Sequence, residues 1–168
     1  MSGFQAKDTE LLRNSAVLKG LSEMEIKQLL DSSELKTGAR NDILLNEWEI
    51  GRGIFIILEG EVEVYLPKQN KRGIERISEV KVSRLKSGDC FGEYSLIDEG
   101  RISASVRVVS QNFRASYINQ KDFQSFSEIH HKSAKIIYRN LLEIFIARLR
   151  GNLEELDITG NPITYLPP

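Results

Sequence analysis

The chain has 168 residues, 40% of them hydrophobic, enough to bury one sizeable core. Its net charge of −1 gives no global attraction to nucleic acid or to an anionic membrane surface, so neither is expected as a partner. The longest apolar runs fall well short of a membrane span, the first residues form no signal peptide, and a single cysteine excludes an intramolecular disulfide; a cytoplasmic setting is expected.

The first strong local signal is Ser22, a predicted N-cap, with Glu25 three residues on completing a capping box. Ile26, Leu29 and Leu30 then repeat at helical spacing. This helix ends an N-terminal helical segment expected over residues 1–32. Gly51-Arg52-Gly53 marks a turn, and Phe55 to Tyr65 reads as two strands around Gly60. Val62 and Val64 alternate there with Glu61 and Glu63, as on a half-buried strand. Lys68, Lys71, Arg72 and Arg76 make the next loop basic; it is expected to be a solvated hairpin loop, the alternative being a patch that steers an acidic partner. Ile102 to Val109 and Phe113 to Ile118 are further strands, joined through Ser110-Gln111-Asn112. Short strands punctuated in this way imply a β-sandwich or β-roll, placed at residues 33–118.

Inside that region lies Asp89-Cys90-Phe91-Gly92-Glu93-Tyr94-Ser95-Leu96, followed by Gly100-Arg101-Ile102-Ser103-Ala104-Ser105-Val106. Gly92 lets the backbone approach a ligand closely, and residues 93–98 can form a short helical turn whose first N–H groups suit a phosphate. Glu93 is a carboxylate acceptor for a sugar hydroxyl. This run, residues 91–106, resembles the phosphate-binding cassette of the cyclic nucleotide-binding domain family, which includes regulatory subunits of cyclic AMP-dependent kinase, gated ion channels and bacterial catabolite activator proteins. The resemblance covers roughly residues 15–150, with Arg84-Leu85-Lys86-Ser87-Gly88-Asp89 similar to the family's turn into the cassette. It implies a mainly β fold: a jelly-roll-like eight-stranded β-roll with N-terminal and C-terminal helices. It also implies cyclic AMP or cyclic GMP as ligand and no cofactor beyond it. The ligand-binding candidates are Phe91, Gly92, Glu93, Tyr94, Ser95, Arg101, Ile102, Ser103 and Ala104, with Gly92, Glu93 and Ser95 at the family's ribose- and phosphate-contacting positions.

Two positions depart from the family pattern. The family places an arginine before a small residue, Ala, Ser or Thr, and Val; Ser103-Ala104-Ser105-Val106 aligns, which puts Ile102 at the arginine and Arg101 one residue early. Either the loop before it is re-registered, so that Arg101 still reaches the phosphate, or Ile102 faces the pocket and Arg101 faces away. Losing one partner of a buried ion pair costs roughly 3–5 kcal/mol, on the order of a hundred- to a few thousand-fold in Kd. Trp48 is the second departure, standing where many family members have glycine. Ser103 is compatible with either purine, and Tyr138 is one candidate for stacking on the base.

Residues 119–127 resemble the family's helix after the last strand. Ile137, Leu141, Ile144, Phe145 and Leu149 predict a long amphipathic helix from about 133 to 150. In the family this helix moves as a lid and often pairs two subunits; here it either packs on its own roll or forms a homodimer. The C-terminal helices are placed at 119–150 and a tail at 151–168. Leu153 to Pro167 resembles a single leucine-rich repeat, while Leu149, Leu153 and Leu156 also keep helical spacing; Gly151 and Gly160-Asn161-Pro162 argue for a helix end no later than about Asp157. Cys90 reads as a packed strand residue and His130-His131 as a solvated helix start. No catalytic constellation stands out, so no enzyme is expected. The expected role is a sensor that repositions its C-terminal helix toward a protein effector when a cyclic nucleotide binds. The alternative is a degenerate fold that no longer binds nucleotide and acts as a protein-interaction module; a cyclic dinucleotide or an uncharged nucleoside ranks last.

Overall fold

The computed structural model describes residues 3–98 and 100–158. Two helices come first, α1 (Ala6–Asn14) and α2 (Glu23–Asp31). The predicted capping box of α2 is formed: Ser22 N–H donates to Glu25 Oε2 at 2.7 Å, and Glu25 N–H donates back to Ser22 Oγ. Ile26, Leu29 and Leu30 are buried, as their spacing requires. In α1, buried Asp8 caps the helix by accepting from Gln5 N–H at 2.7 Å and receives both guanidinium nitrogens of Arg114 at 2.8 and 3.1 Å.

The strands follow: β1 (Glu34–Ala39), β2 (Ile43–Leu45), β3 (Gly53–Glu59), β4 (Glu61–Leu66), β5 (Val80–Lys86), β6 (Cys90–Phe91), β7 (Ser105–Val108) and β8 (Asn112–Asn119). Among the described residues these eight form two antiparallel four-stranded sheets, ordered β1-β8-β3-β6 and β2-β7-β4-β5. The β3–β4 turn needs Gly60, which has φ +90° and no room for a Cβ beside the Asn112 carbonyl. The strand predicted from Ile102 begins only at Ser105. Ile102 pairs outside the sheet, its N–H donating to Glu49 O and its carbonyl accepting from Trp48 N–H, both at 2.8 Å.

β3 shows why the fold has two cores. Gly53 to Leu58 are all buried, because the strand is covered on both faces. Ile54, Ile56 and Leu58 join Leu29, Phe123, Ile137 and Leu141 under the helices. Phe55 and Ile57 face into the roll with Val62, Phe91, Val106 and Phe113.

α3 (Gln120–Ile129) and α4 (His131–Ile158) follow. The described helix runs through Gly151 rather than stopping near residue 150. Gly151 faces open space and has no positive φ, so it costs the helix only about 1 kcal/mol relative to Ala. Leu153 and Glu154 are therefore helical rather than repeat-like. The remainder of the repeat-like stretch, residues 159–168, lies outside the described residues. No described helix is long and apolar enough to cross a membrane.

The basic loop between β4 and β5 exposes Lys68, Lys71 and Arg72, as expected of a solvated loop, but it is anchored through Arg76. Arg76 forks onto Glu47 at 2.8 and 3.0 Å and also donates to Pro67 O. Asn70 reaches the same Glu47, and Lys71 pairs with Glu49. Glu47 is 8% exposed, and its bonds from Arg76 hold the carboxyl below the usual range. The loop is thus folded back across the segment carrying Trp48, because a buried carboxylate there needs a cation.

Candidate functional site

The cassette begins where β6 ends. Gly92 sits in the left-handed region at φ +76°, and a Cβ on it would lie 2.7 Å from the Gly53 carbonyl, so no other residue fits without a shift. That turn starts a 3₁₀ helix over Glu93–Leu96. Ser95 Oγ donates to Gly92 O at 2.7 Å, so this hydroxyl secures the turn. The N–H of Tyr94 precedes the first intrahelical bond, Ser95 N–H to Gly92 O, while the Glu93 N–H lies against its own carboxyl.

Glu93 is 3% exposed. Burial pushes its carboxyl above the usual range, and Arg148 acts against that shift. Arg148 comes from α4: its Nη1 donates to Glu93 Oε1 and its Nη2 to the Cys90 carbonyl, both at 2.6 Å. Tyr94 is exposed and meets Phe145 of the same helix edge-on, with ring centroids 5.2 Å apart. Among the described residues, the Arg148–Glu93 ion pair and the Phe145–Tyr94 contact tie the cassette to α4.

Among the candidate residues, Gly92, Glu93 and Ser95 lie in one tight turn, with Glu93 on Arg148 and Ser95 on the Gly92 carbonyl. Phe91 is a buried wall, stacked on Phe55 at 4.7 Å. Ser103 is exposed and Ala104 half-buried. Arg101 is turned elsewhere: its Nη1 donates to the Trp48 carbonyl at 2.9 Å and its guanidinium lies 5.4 Å over the indole. Arg72 of the folded-back loop stacks on the same ring at 4.7 Å. Trp48 itself has φ +74°, a glycine-favouring conformation that costs a side chain about 1–2 kcal/mol. Arg101 and Ile102 both line a cavity of about 870 Å³ beside Trp48, whose walls do not include Gly92, Glu93 or Ser103. Tyr138 packs edge-on against Phe123 at 5.5 Å; the aromatic residue that α4 brings to the cassette is Phe145.

Cys90 is buried, and burial pushes its thiol up to about 12, which makes it a packing residue. His130 packs on Phe126 at 4.7 Å, and the described residues hold no cluster of three potential metal ligands. Arg148 was not legible as a site residue, since it lies 55 positions from Glu93. Trp48 carried the one available signal, a bulky residue where glycine is common.

A cassette at the end of a two-sheet roll, with a long helix folded over it, defines a regulatory ligand-binding β-roll. The chain belongs to the cyclic nucleotide-binding domain family, whose model matches residues 35–130, more than half of its length. It is 29% identical over 122 residues to mouse cGMP-dependent protein kinase 2, covering 71% of this chain and 15% of the kinase. It is 32% identical over 97 residues to the cAMP-dependent protein kinase regulatory subunit of Mycosarcoma maydis, covering 58% of this chain and 17% of that protein. The chain thus spans under a fifth of these two relatives. Among solved structures, a cyclic nucleotide-binding domain from Methylobacillus flagellatus superposes with TM-score 0.79 at 20% identity, covering 94% of this chain and 85% of that one. The Thermus thermophilus catabolite activator protein superposes with TM-score 0.69 at 23% identity, covering 86% and 63%.

Proposed function

We propose that this chain is a sensor for cyclic AMP or cyclic GMP, with the phosphate seated on the N–H groups after Gly92 and the ribose hydroxyl on Glu93. Ser103 and Ala104 complete the phosphate side. The observation that carries this reading is the Arg148–Glu93 bond, because it puts one carboxylate at the ligand seat and under α4 at once. A ribose hydroxyl arriving at Glu93 changes the partner Arg148 holds, so ligand binding and the position of α4 share one coupling free energy. The readout is a change in the surface α4 offers to a protein effector. The proposed role is regulatory binding in the cytoplasm, without catalysis.

The exposed side of α4 supports a second copy of this chain as one partner. Leu142, Ile146, Leu149 and Leu153 are exposed and repeat at intervals of four, three and four residues, the spacing of a coiled-coil seam. Ile146→Glu should convert a dimer to a monomer in sedimentation. A single monomeric species in the native protein would remove this partner.

A decayed pocket is the competing reading. It is favoured by the diversion of Arg101 onto Trp48 together with Ile102 at the arginine position. Titration calorimetry with cyclic AMP and cyclic GMP separates the two. Micromolar binding that is lost in Glu93→Ala supports the sensor. No binding by the native protein, but binding gained in Ile102→Arg, supports the decayed pocket.

A further inference from the structure

β5 is the outer strand of its sheet; among the described residues β4 is its only neighbour. From Val80 to Lys86 every residue is exposed except Leu85, which is half-buried. Among the described residues, nothing outside β4 bonds to the backbone of Val80 to Leu85. The strand is closed only at its end, where the Asp89 carboxylate accepts from Lys86 N–H and Asp89 N–H donates to the Lys86 carbonyl. Its outward-facing N–H and C=O groups are therefore open to another strand. β-branched side chains accompany them: Val80 and Val82 are 46% and 47% exposed, and Ile77, just before the strand, is fully exposed.

The edge is also strongly basic. Residues 67–86 carry seven Lys and Arg against two Glu, a net +5 in a chain whose total is −1. The strand itself holds Lys81, Arg84 and Lys86 and no acid. A bulge makes Val82 an extra residue, since Ser83 pairs with Val64 and Lys81 with Tyr65. It brings Lys81 and Arg84 onto one face, where both reach Glu63, at 3.3 and 3.9 Å. Arg107 holds the same carboxylate, so Glu63 is divided among three cations. Lys86 stands opposite Glu61 in register and makes no ion pair among the described residues. These features select the occupant. A second copy of β5 would lay six cations along one ribbon with no acid between them. An anionic lipid surface would meet the cations but leave the edge N–H and C=O groups to water.

We propose that β5 is a docking edge for an extended acidic segment of a partner protein, which joins the sheet as a further strand. Its backbone pairs with the open groups between Val80 and Leu85. Its Asp or Glu side chains meet Lys81, Arg84 and Lys86, and the aliphatic residues between them cover the exposed valines. Backbone pairing supplies the register and opposite charge the selectivity, so neither an acid without a strand nor a strand without acids is a full match. The surface holds no residue of the cassette or of α4, so it stands apart from the nucleotide reading.

The probe is a fluorescein-labelled peptide alternating Glu and Val, titrated into the full chain and read by anisotropy. The expected result is one saturable site per chain, with slowed hydrogen exchange at amides between Val80 and Leu85. The same peptide with an N-methylated backbone keeps the charge but cannot donate to the edge, and it should bind at least about tenfold more weakly. A peptide alternating Lys and Val should not bind. A Lys81→Gln, Arg84→Gln, Lys86→Gln triple variant, changed only at exposed positions, should weaken the Glu–Val peptide about tenfold, and added salt should weaken it in the native chain. Equal binding by the N-methylated peptide or by the triple variant would overturn the proposal. So would sedimentation with phosphatidylserine vesicles in the absence of peptide binding, which assigns the edge to a lipid surface, or self-association that the triple variant abolishes, which assigns it to a second copy. Failure of the nucleotide titrations with peptide binding retained would strike only the cassette reading.

Discussion

Replacing Arg148 with Leu tests the physical link between cassette and helix. The native guanidinium makes two charge-assisted hydrogen bonds at 2.6 Å, one to buried Glu93 and one to the Cys90 carbonyl. Such bonds contribute roughly 1.5–3 kcal/mol each. The Arg148 side chain is 35% exposed, so solvent screening reduces that sum. The expected loss is about 3 kcal/mol at pH 7. The pH dependence follows from Glu93, whose folded carboxyl already titrates above its ordinary value because it is buried. Without Arg148 it rises further. At pH values below the ordinary carboxylate range the group is protonated in folded and unfolded chains alike, and the extra shift has no effect. As pH climbs through the raised folded value, the variant must either protonate Glu93 or bury it charged, and the stability gap to the native protein widens. Urea unfolding should therefore give a difference of about 1 kcal/mol near pH 4, from the lost carbonyl bond alone, growing to about 3 kcal/mol at pH 7. The same difference at both pH values, or under about 0.5 kcal/mol at pH 7, would refute the coupling drawn between Glu93 and Arg148.

Three other substitutions probe neighbouring arguments. Glu25 is held down to about 2, first by the Ser133 hydroxyl at 2.6 Å and then by Ser22. Its contribution is present above the unfolded value of 4.5 and is lost as pH falls toward 2; Glu25→Gln should cost about 1–2 kcal/mol at pH 7 and progressively less through that window, measured by thermal melts. Arg76→Met leaves the nearly buried Glu47 without its cation and should cost about 2–3 kcal/mol in denaturant unfolding, with loss of amide protection at Gly73 and Arg76, whose N–H groups bond within the loop. Trp48→Gly removes about 1–2 kcal/mol of backbone strain and two cation–π contacts of about 0.5–1 kcal/mol each, so overall stability should barely move while the loop around Arg72 exchanges faster. A large change in melting temperature for Trp48→Gly would show that one of these two contributions is misjudged.

Much of the fold was legible wherever the information is local. Ser22 and Glu25 are three residues apart and cap a helix whichever protein surrounds them. Gly60 reports its own turn, and the alternation after it reports a half-buried strand. Phe91-Gly92-Glu93 was readable by its resemblance to a known cassette, and the left-handed φ of Gly92 before a short helical turn is the local requirement behind that pattern. The end of α4 was harder: Gly151 resembles a stop, but a glycine with open space around it only weakens a helix.

The site's polar pairings were not legible, because they join segments far apart along the chain. Arg148 and Glu93 are 55 residues apart, Arg101 and Trp48 are 53 apart, and Arg76 and Glu47 are 29 apart. Every one of these arginines is a solvated charge by periodicity alone. Periodicity, caps and turns act over a few residues and by themselves determined short strands that imply a sandwich or roll and the flanking helices; the cassette with an isoleucine in the arginine's place came from the resemblance to the cyclic nucleotide-binding domain family. Tertiary structure alone decided that Glu93 faces Arg148 and that Arg101 rests on Trp48. A long cation takes whichever buried carboxylate, carbonyl or ring the packed sheets bring within its reach, and that choice is made only after the chain has folded.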